Sequence, residues 1–178
     1  LGEIPLIKDK SDLIFSTPNQ RSILAEASRI ISSNTNYLID KKLDAGPIIL
    51  ATSTIKGEGK TFVAINLAAI IAMQGKRVLI VDVDLRKPRI HKIFDLPSSA
   101  GMSTLLNNRS LKEDVTFSTQ EENLWAIPAG PIPPNPSELI GSETFVQFLD
   151  DIKASFDVVI FDTPPIGLVT DSIPVISR

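Results

Sequence analysis

Apolar positions along this chain follow two periods, and the switches between them mark its elements. Ile48 to Ala51 (IILA), Arg77 to Val83 (RVLIVDV) and Val158 to Asp162 (VVIFD) are short, near-continuous apolar runs. Such runs predict strands buried on both faces, as in a parallel sheet. Leu124 to Pro128 (LWAIP) predicts a fourth, shorter strand. Elsewhere the spacing is helical. Ile23, Leu24, Ala27, Ile30 and Ile31 predict a helix from Gln20 to about Ile39, with Asn19 as its cap. A second helix is expected from near Lys60 to Gly75, a good C-terminal stop. Phe145, Phe148, Leu149, Ile152 and Phe156 line one face of a third, from Ser142 to Phe156. GMSTLL at 101–106 reads as a short helix, residues 111–115 as loop or a fragment of helix, and SELI as a turn capped by Ser137. Residues 131–136 hold four prolines, which excludes helix and central strand and leaves a rigid loop. Residues 1–19 read as an extended lead-in, 40–47 as a turn, and 167–178 as loop and helix start. The expected architecture is α/β, one domain over residues 20–178, with a mostly parallel sheet flanked by helices on both faces. Further strands are expected beyond Arg178.

The chemistry concentrates at strand ends. Ile48 to Gln74 reads strand, Gly-bearing loop, helix, and the loop ends in Gly59-Lys60-Thr61. Gly57 and Gly59 permit turns that other residues resist, so backbone N–H groups can converge on phosphate oxygens. The helix adds the positive end of its dipole. Lys60 is placed to reach β- and γ-phosphates and the Thr61 hydroxyl to ligate Mg²⁺. The strict phosphate-loop pattern asks for Gly five residues before Gly59, where this chain has Thr54. The candidate nucleotide-binding set is Thr54, Gly57, Glu58, Gly59, Lys60, Thr61 and Phe62. The second strand ends in Asp82-Val83-Asp84, and alternation puts both carboxylates on one side. The last strand ends in Asp162. Ligands of open α/β sheets bind at this edge. A carboxylate near a γ-phosphate could orient or deprotonate a nucleophile, and Asp82 and Asp84 are the candidates. Asp162 has the position of an acid supporting Mg²⁺.

Composition narrows this reading. In 178 residues, 43% are hydrophobic and 22% charged, as in ordinary globular chains. A net charge of −3 gives no general case for nucleic acid as a partner. There is no Cys, so disulfides and thiolate metal sites are excluded. No apolar run approaches the roughly 18 residues that span a bilayer. His91 is the one His and a poor metal candidate, better suited to packing or hydrogen bonding. Trp125 suits packing better than stacking on adenine. LRKPRIHKIF, from Leu85, brings four basic residues after the acid pair; it is a solvated loop and short helix, or Arg86 neighbours phosphate or a partner subunit. Glu26 and Arg29 suit either a solvated intrahelical ion pair or a subunit contact.

Taken together, five segments resemble the cytoplasmic domain of bacterial tyrosine kinases, a branch of the deviant-Walker P-loop ATPases. They are ATSTIKGEGKT (Walker A), LIVDVDLRKPRIHKIF (Walker A′), AGPIPPNPSELI, VVIFDTPP (Walker B) and LGEIP, similar to a segment just after a membrane helix. The resemblance covers nearly the whole chain and implies a P-loop NTPase-like fold. It implies ATP and Mg²⁺ as cofactors, with Lys60, Asp82 and Asp84 catalytic and Thr61, Asp82 and Asp162 at the metal. It implies a tyrosine autokinase of capsule or exopolysaccharide assembly, acting between neighbouring subunits of a homo-oligomer. That enzyme would be the cytoplasmic part of an inner-membrane protein, with a membrane-spanning chain-length-determinant region upstream. The alternative is a nucleotide-gated assembly module with weak or no kinase activity. In the family's Glu-x-x-Arg-x-x-Arg interface pattern, Glu26 and Arg29 match and Ser32 replaces the second Arg. Lys56 stands where the family usually has Pro, and the one Tyr, Tyr37, falls on the first helix.

Overall fold

The computed structural model describes residues 23–38 and 46–165. The lead-in, most of the turn at 40–47 and the segment from Gly167 lie outside the described residues. The elements run α1 (Ile23–Leu38), β1 (Ile48–Ala51), α2 (Lys60–Met73), β2 (Val78–Asp82), α3 (Ile90–Ile93), α4 (Met102–Leu106) and α5 (Lys112–Val115). They continue β3 (Phe117–Ser118), β4 (Leu124–Ile127), α6 (Pro136–Ile140), α7 (Glu143–Ser155) and β5 (Val158–Asp162).

The five strands order β1-β5-β2-β4-β3. All pairings are parallel except the antiparallel β3–β4 edge. Pleating divides β2 between two cores. Val78 and Ile80 pack under α2 and α3 with Ile160 and Ala126, while Leu79 and Val81 pack under α4, α6 and α7 with Phe145 and Phe161. Both faces are therefore covered, and the continuous apolar runs of β2 and β5 follow from it. α2 is apolar nearly all round because it lies between the sheet and α1; Ala64, Ile65, Ala68, Ala69 and Ile71 are fully buried. Trp125 packs on Phe156 with ring centroids 5.7 Å apart, in line with a packing role.

Three local expectations change. Ile30 is 48% exposed, so the inner stripe of α1 runs through Ala27, Ile31 and the fully buried Ser32 instead. Ser137 does not cap α6: Pro136 takes the first helical position, which moves the cap back to Asn135. β3 was not expected. Its two residues pair with Trp125 and Ala126 and are too few to show alternation.

Candidate active site

The sheet register builds the acid edge. β2 and β5 pair residue for residue, and Asp82 lies opposite Asp162 at their carboxyl ends. Neighbouring strands run ~4.8 Å apart, so two carboxylates share one buried edge on the face covered by α2. Asp82 is fully buried, and Asp162 and Asp84 nearly so.

β1 leads from the same edge into the phosphate loop. Gly57 and Gly59 have φ of 97° and 92°. A Cβ at either would meet no atom within 4 Å, so the requirement for glycine comes from the left-handed backbone and not from crowding. The turn is held by its own polar groups. The amides of Thr54 and Ile55 donate to Glu58 Oε2 at 2.9 and 3.2 Å, and Ser53 Oγ donates to the Ile55 carbonyl at 2.9 Å. Residues 54–59 are all exposed. Phe62 sits in the first turn of α2, half-buried, its carbonyl accepting from Asn66 Nδ2.

Loop and acids meet at Lys60. Its Nζ lies 3.2 Å from Asp162 Oδ1 and 3.6 Å from Asp84 Oδ2. Thr61 Oγ1 donates to Asp162 Oδ2 at 2.6 Å. The other Asp84 oxygen accepts the Lys87 amide at 3.1 Å. Thr163 ties the end of β5 to β1, its amide donating to the Ala51 carbonyl at 3.1 Å.

Asp82 has a different set of partners. Its Oδ2 accepts the amides of Arg89 and Ile90 at 3.0 and 3.1 Å, at the start of α3, and its Oδ1 is buried with no hydrogen-bond partner. Burial first, and then the charge of Asp162, push its carboxyl up to about 7, against the pull of those two amides. Burial also raises Asp162, opposed by Lys60 and Thr61. Three acids and one lysine thus leave an excess of negative charge in a dry setting, an arrangement suited to a cation.

Of the residues singled out in the sequence, Lys60, Thr61, Asp84 and Asp162 come together directly, and Asp82 joins through its strand register. Glu58 turns back into its own loop. Glu26 and Arg29 stand apart on α1, exposed and paired with each other at 3.3 Å, while Ser32 faces inward with its hydroxyl unpartnered. The amides of Lys87, Arg89 and Ile90 were not anticipated. The available signal was a pair of aspartates shortly before a short helix, the pattern of residues that bond nearby backbone.

Residues 47–177 match the family described as AAA domain. The chain is 37% identical over 160 residues to the tyrosine-protein kinase YwqD of Bacillus subtilis, covering 89% of this chain and 66% of that protein. It is 37% identical over 169 residues to the putative tyrosine-protein kinase CapB of Staphylococcus aureus, covering 94% of this chain and 73% of that one. The chain belongs to the bacterial tyrosine kinases. The crystal structure of the chimerical protein CapA2B2 superposes with a TM-score of 0.88 at 41% identity, covering 98% of this chain and 74% of that one. The α/β P-loop fold is therefore the family fold. The chain spans just under two thirds of YwqD, so what a whole bacterial tyrosine kinase does is not carried over with the family. No described helix is long and apolar enough to cross a membrane.

Proposed function

We propose that this chain is the ATP-dependent tyrosine autokinase domain of a capsule or exopolysaccharide assembly system, transferring the ATP γ-phosphate to tyrosines of a neighbouring subunit. It would work on the cytoplasmic side of a membrane-spanning region. The observation that carries the reading is the junction of Lys60 with Thr61, Asp84 and Asp162 at the foot of a glycine-turned loop.

The loop amides and the N-terminus of α2 would receive the phosphates. Lys60 would pair with the β- and γ-phosphates, held until then by Asp162 and Asp84. The residues present fit Mg²⁺. Asp82 Oδ1 is a buried carboxylate oxygen without a partner, and Thr61 and Asp162 are already in contact. Among the described residues no three acids form a ready cage, and Mg²⁺ typically takes one or two protein oxygens with phosphate and water. Thr61 and Asp162 would hold it beside Asp82, and it would neutralise charge developing on the phosphates. Asp82 would take the phenolic proton as the tyrosine oxygen bonds to the γ-phosphorus and the bond to ADP breaks.

A second reading is a nucleotide-gated assembly module, which would use the same Lys60, Thr61 and Asp162 contacts to hold Mg²⁺–ATP without transferring a phosphoryl group. One experiment separates the two. The chain is incubated with Mg²⁺–ATP and a tyrosine peptide, and phosphotyrosine is measured. The wild type is expected to phosphorylate the peptide. Asp82→Asn is expected to lose at least ~100-fold in rate while keeping ATP affinity within about threefold. A wild type that binds ATP and makes no phosphotyrosine overturns the kinase reading and leaves the assembly module.

A further inference from the structure

The loop after the acid edge carries charge that the proposed reaction does not use. Arg86, Lys87, Arg89 and Lys92 place four cations in seven consecutive positions, with no acid among them, in a chain of net charge −3. All four side chains are exposed. Those of Lys87, Arg89 and Lys92 make no ion pair among the described residues. They do not neutralise the buried acids either, since Lys60 is the cation that reaches Asp84 and Asp162.

The backbone of this loop is nevertheless fixed, and by the catalytic candidates themselves. Asp84 accepts the amide of Lys87, and Asp82 accepts those of Arg89 and Ile90. Ile90 is fully buried and anchors the segment. Arg86 Nη2 donates to Ser137 Oγ at 3.0 Å, joining the loop to α6 and the proline-rich segment before it. In that segment Ile132 is 65% exposed. Lys87 and Arg89 thus sit one backbone hydrogen bond from Asp84 and Asp82, beside a segment with an apolar tip.

Any acceptor must approach three carboxylates and a triphosphate. An acceptor with acidic flanks would be repelled unless cations offset that field, and exposed cations around an active site both steer and select such a partner. We propose that the Arg86–Lys92 loop docks the acidic flanks of the tyrosine-bearing peptide segment that receives the phosphoryl group. This deepens the kinase reading and rests on it.

The test uses a fluorescein-labelled peptide with one tyrosine between runs of glutamate, a second with glutamine in their place, and fluorescence anisotropy with the 178-residue chain, without nucleotide. The glutamate peptide is expected to bind at least ~10-fold tighter at ~50 mM salt, and most of that advantage is expected to vanish at ~0.3 M. The double variant Lys87→Glu/Lys92→Glu is expected to lose the preference and keep its ATP affinity. Equal binding of the two peptides overturns the proposal. So does a double variant that loses ATP binding together with the peptide, which assigns the cations to the nucleotide. So does cation-dependent binding to phosphatidylglycerol vesicles with no peptide preference, which assigns them to a membrane surface. The readout needs no turnover, so an absence of phosphotyrosine would bear on the kinase reading and not on the docking.

Discussion

Between Thr54 and Gly59 every residue is exposed, and the turn is held by short-range bonds from Glu58 and Ser53. At Asp82, Asp84 and Asp162 every residue is buried, and position is set by strand register, by amides of the loop that follows β2 and by the Lys60 and Thr61 side chains. The two regions meet through the first turn of α2. The loop can rearrange around phosphates without disturbing the core, because little packs against it. The acid edge is fixed in advance, at an electrostatic cost that a cation would relieve. Charge is held ready on one side, and backbone donors are left open on the other.

The strongest way to break this division is to remove the link between its halves. Lys60→Met is expected to weaken ATP binding by at least ~100-fold, the scale of losing charge-assisted bonds in a partly buried site. Calorimetric titration checks it, and unchanged affinity would separate the loop from the nucleotide.

The next effect lies in the acid edge alone. The folded Asp82 carboxyl titrates near 7 and an unfolded one near ~3.9, so the unfolded chain gives up this proton first. Stability from this group is complete below about pH 4 and is lost as pH rises through about 7. Asp82→Asn keeps an oxygen for the amides of Arg89 and Ile90 and removes the charge. It is expected to raise the stability of the ligand-free chain at pH 8 by a few kcal/mol and to change it little near pH 4. Urea denaturation at the two pH values measures this, and a gain that is the same at both would contradict the assignment.

The smallest effect belongs to the loop. Glu58→Ala frees two amides and loosens the turn, and is expected to weaken ATP binding about fivefold, near 1 kcal/mol. Glu58→Gln retains an acceptor and is expected to recover most of it. Equal loss in both variants would mean that the negative charge, not the hydrogen bonds, matters at Glu58.

How much of this could be read from the residues follows from range. Period and length gave β1, β2, β4, β5, α1, α2 and α7, because each buries a face that its own sequence declares. The phosphate loop was legible because Gly57, Gly59, Lys60 and Thr61 act within one turn. The pairing of Asp82 with Asp162 was not, since it depends on β5 inserting between β1 and β2. The unequal surroundings of the two acids follow from that order, and so does the perturbed Asp82. β3 escaped because two residues carry no period. Ile30 misled because an apolar residue beside an inner stripe counts toward it whether or not it is covered.

The central claim is that exposed loop and buried acids form one Mg²⁺–ATP site. The most direct test is the ATP affinity of wild type and Asp162→Asn, each with Mg²⁺ and with Mg²⁺ removed by chelation. Asp162 touches both Lys60 and Thr61, so Mg²⁺ should tighten ATP binding at least ~10-fold in the wild type and no more than about twofold in the variant. An equal gain from Mg²⁺ in both proteins would contradict the account.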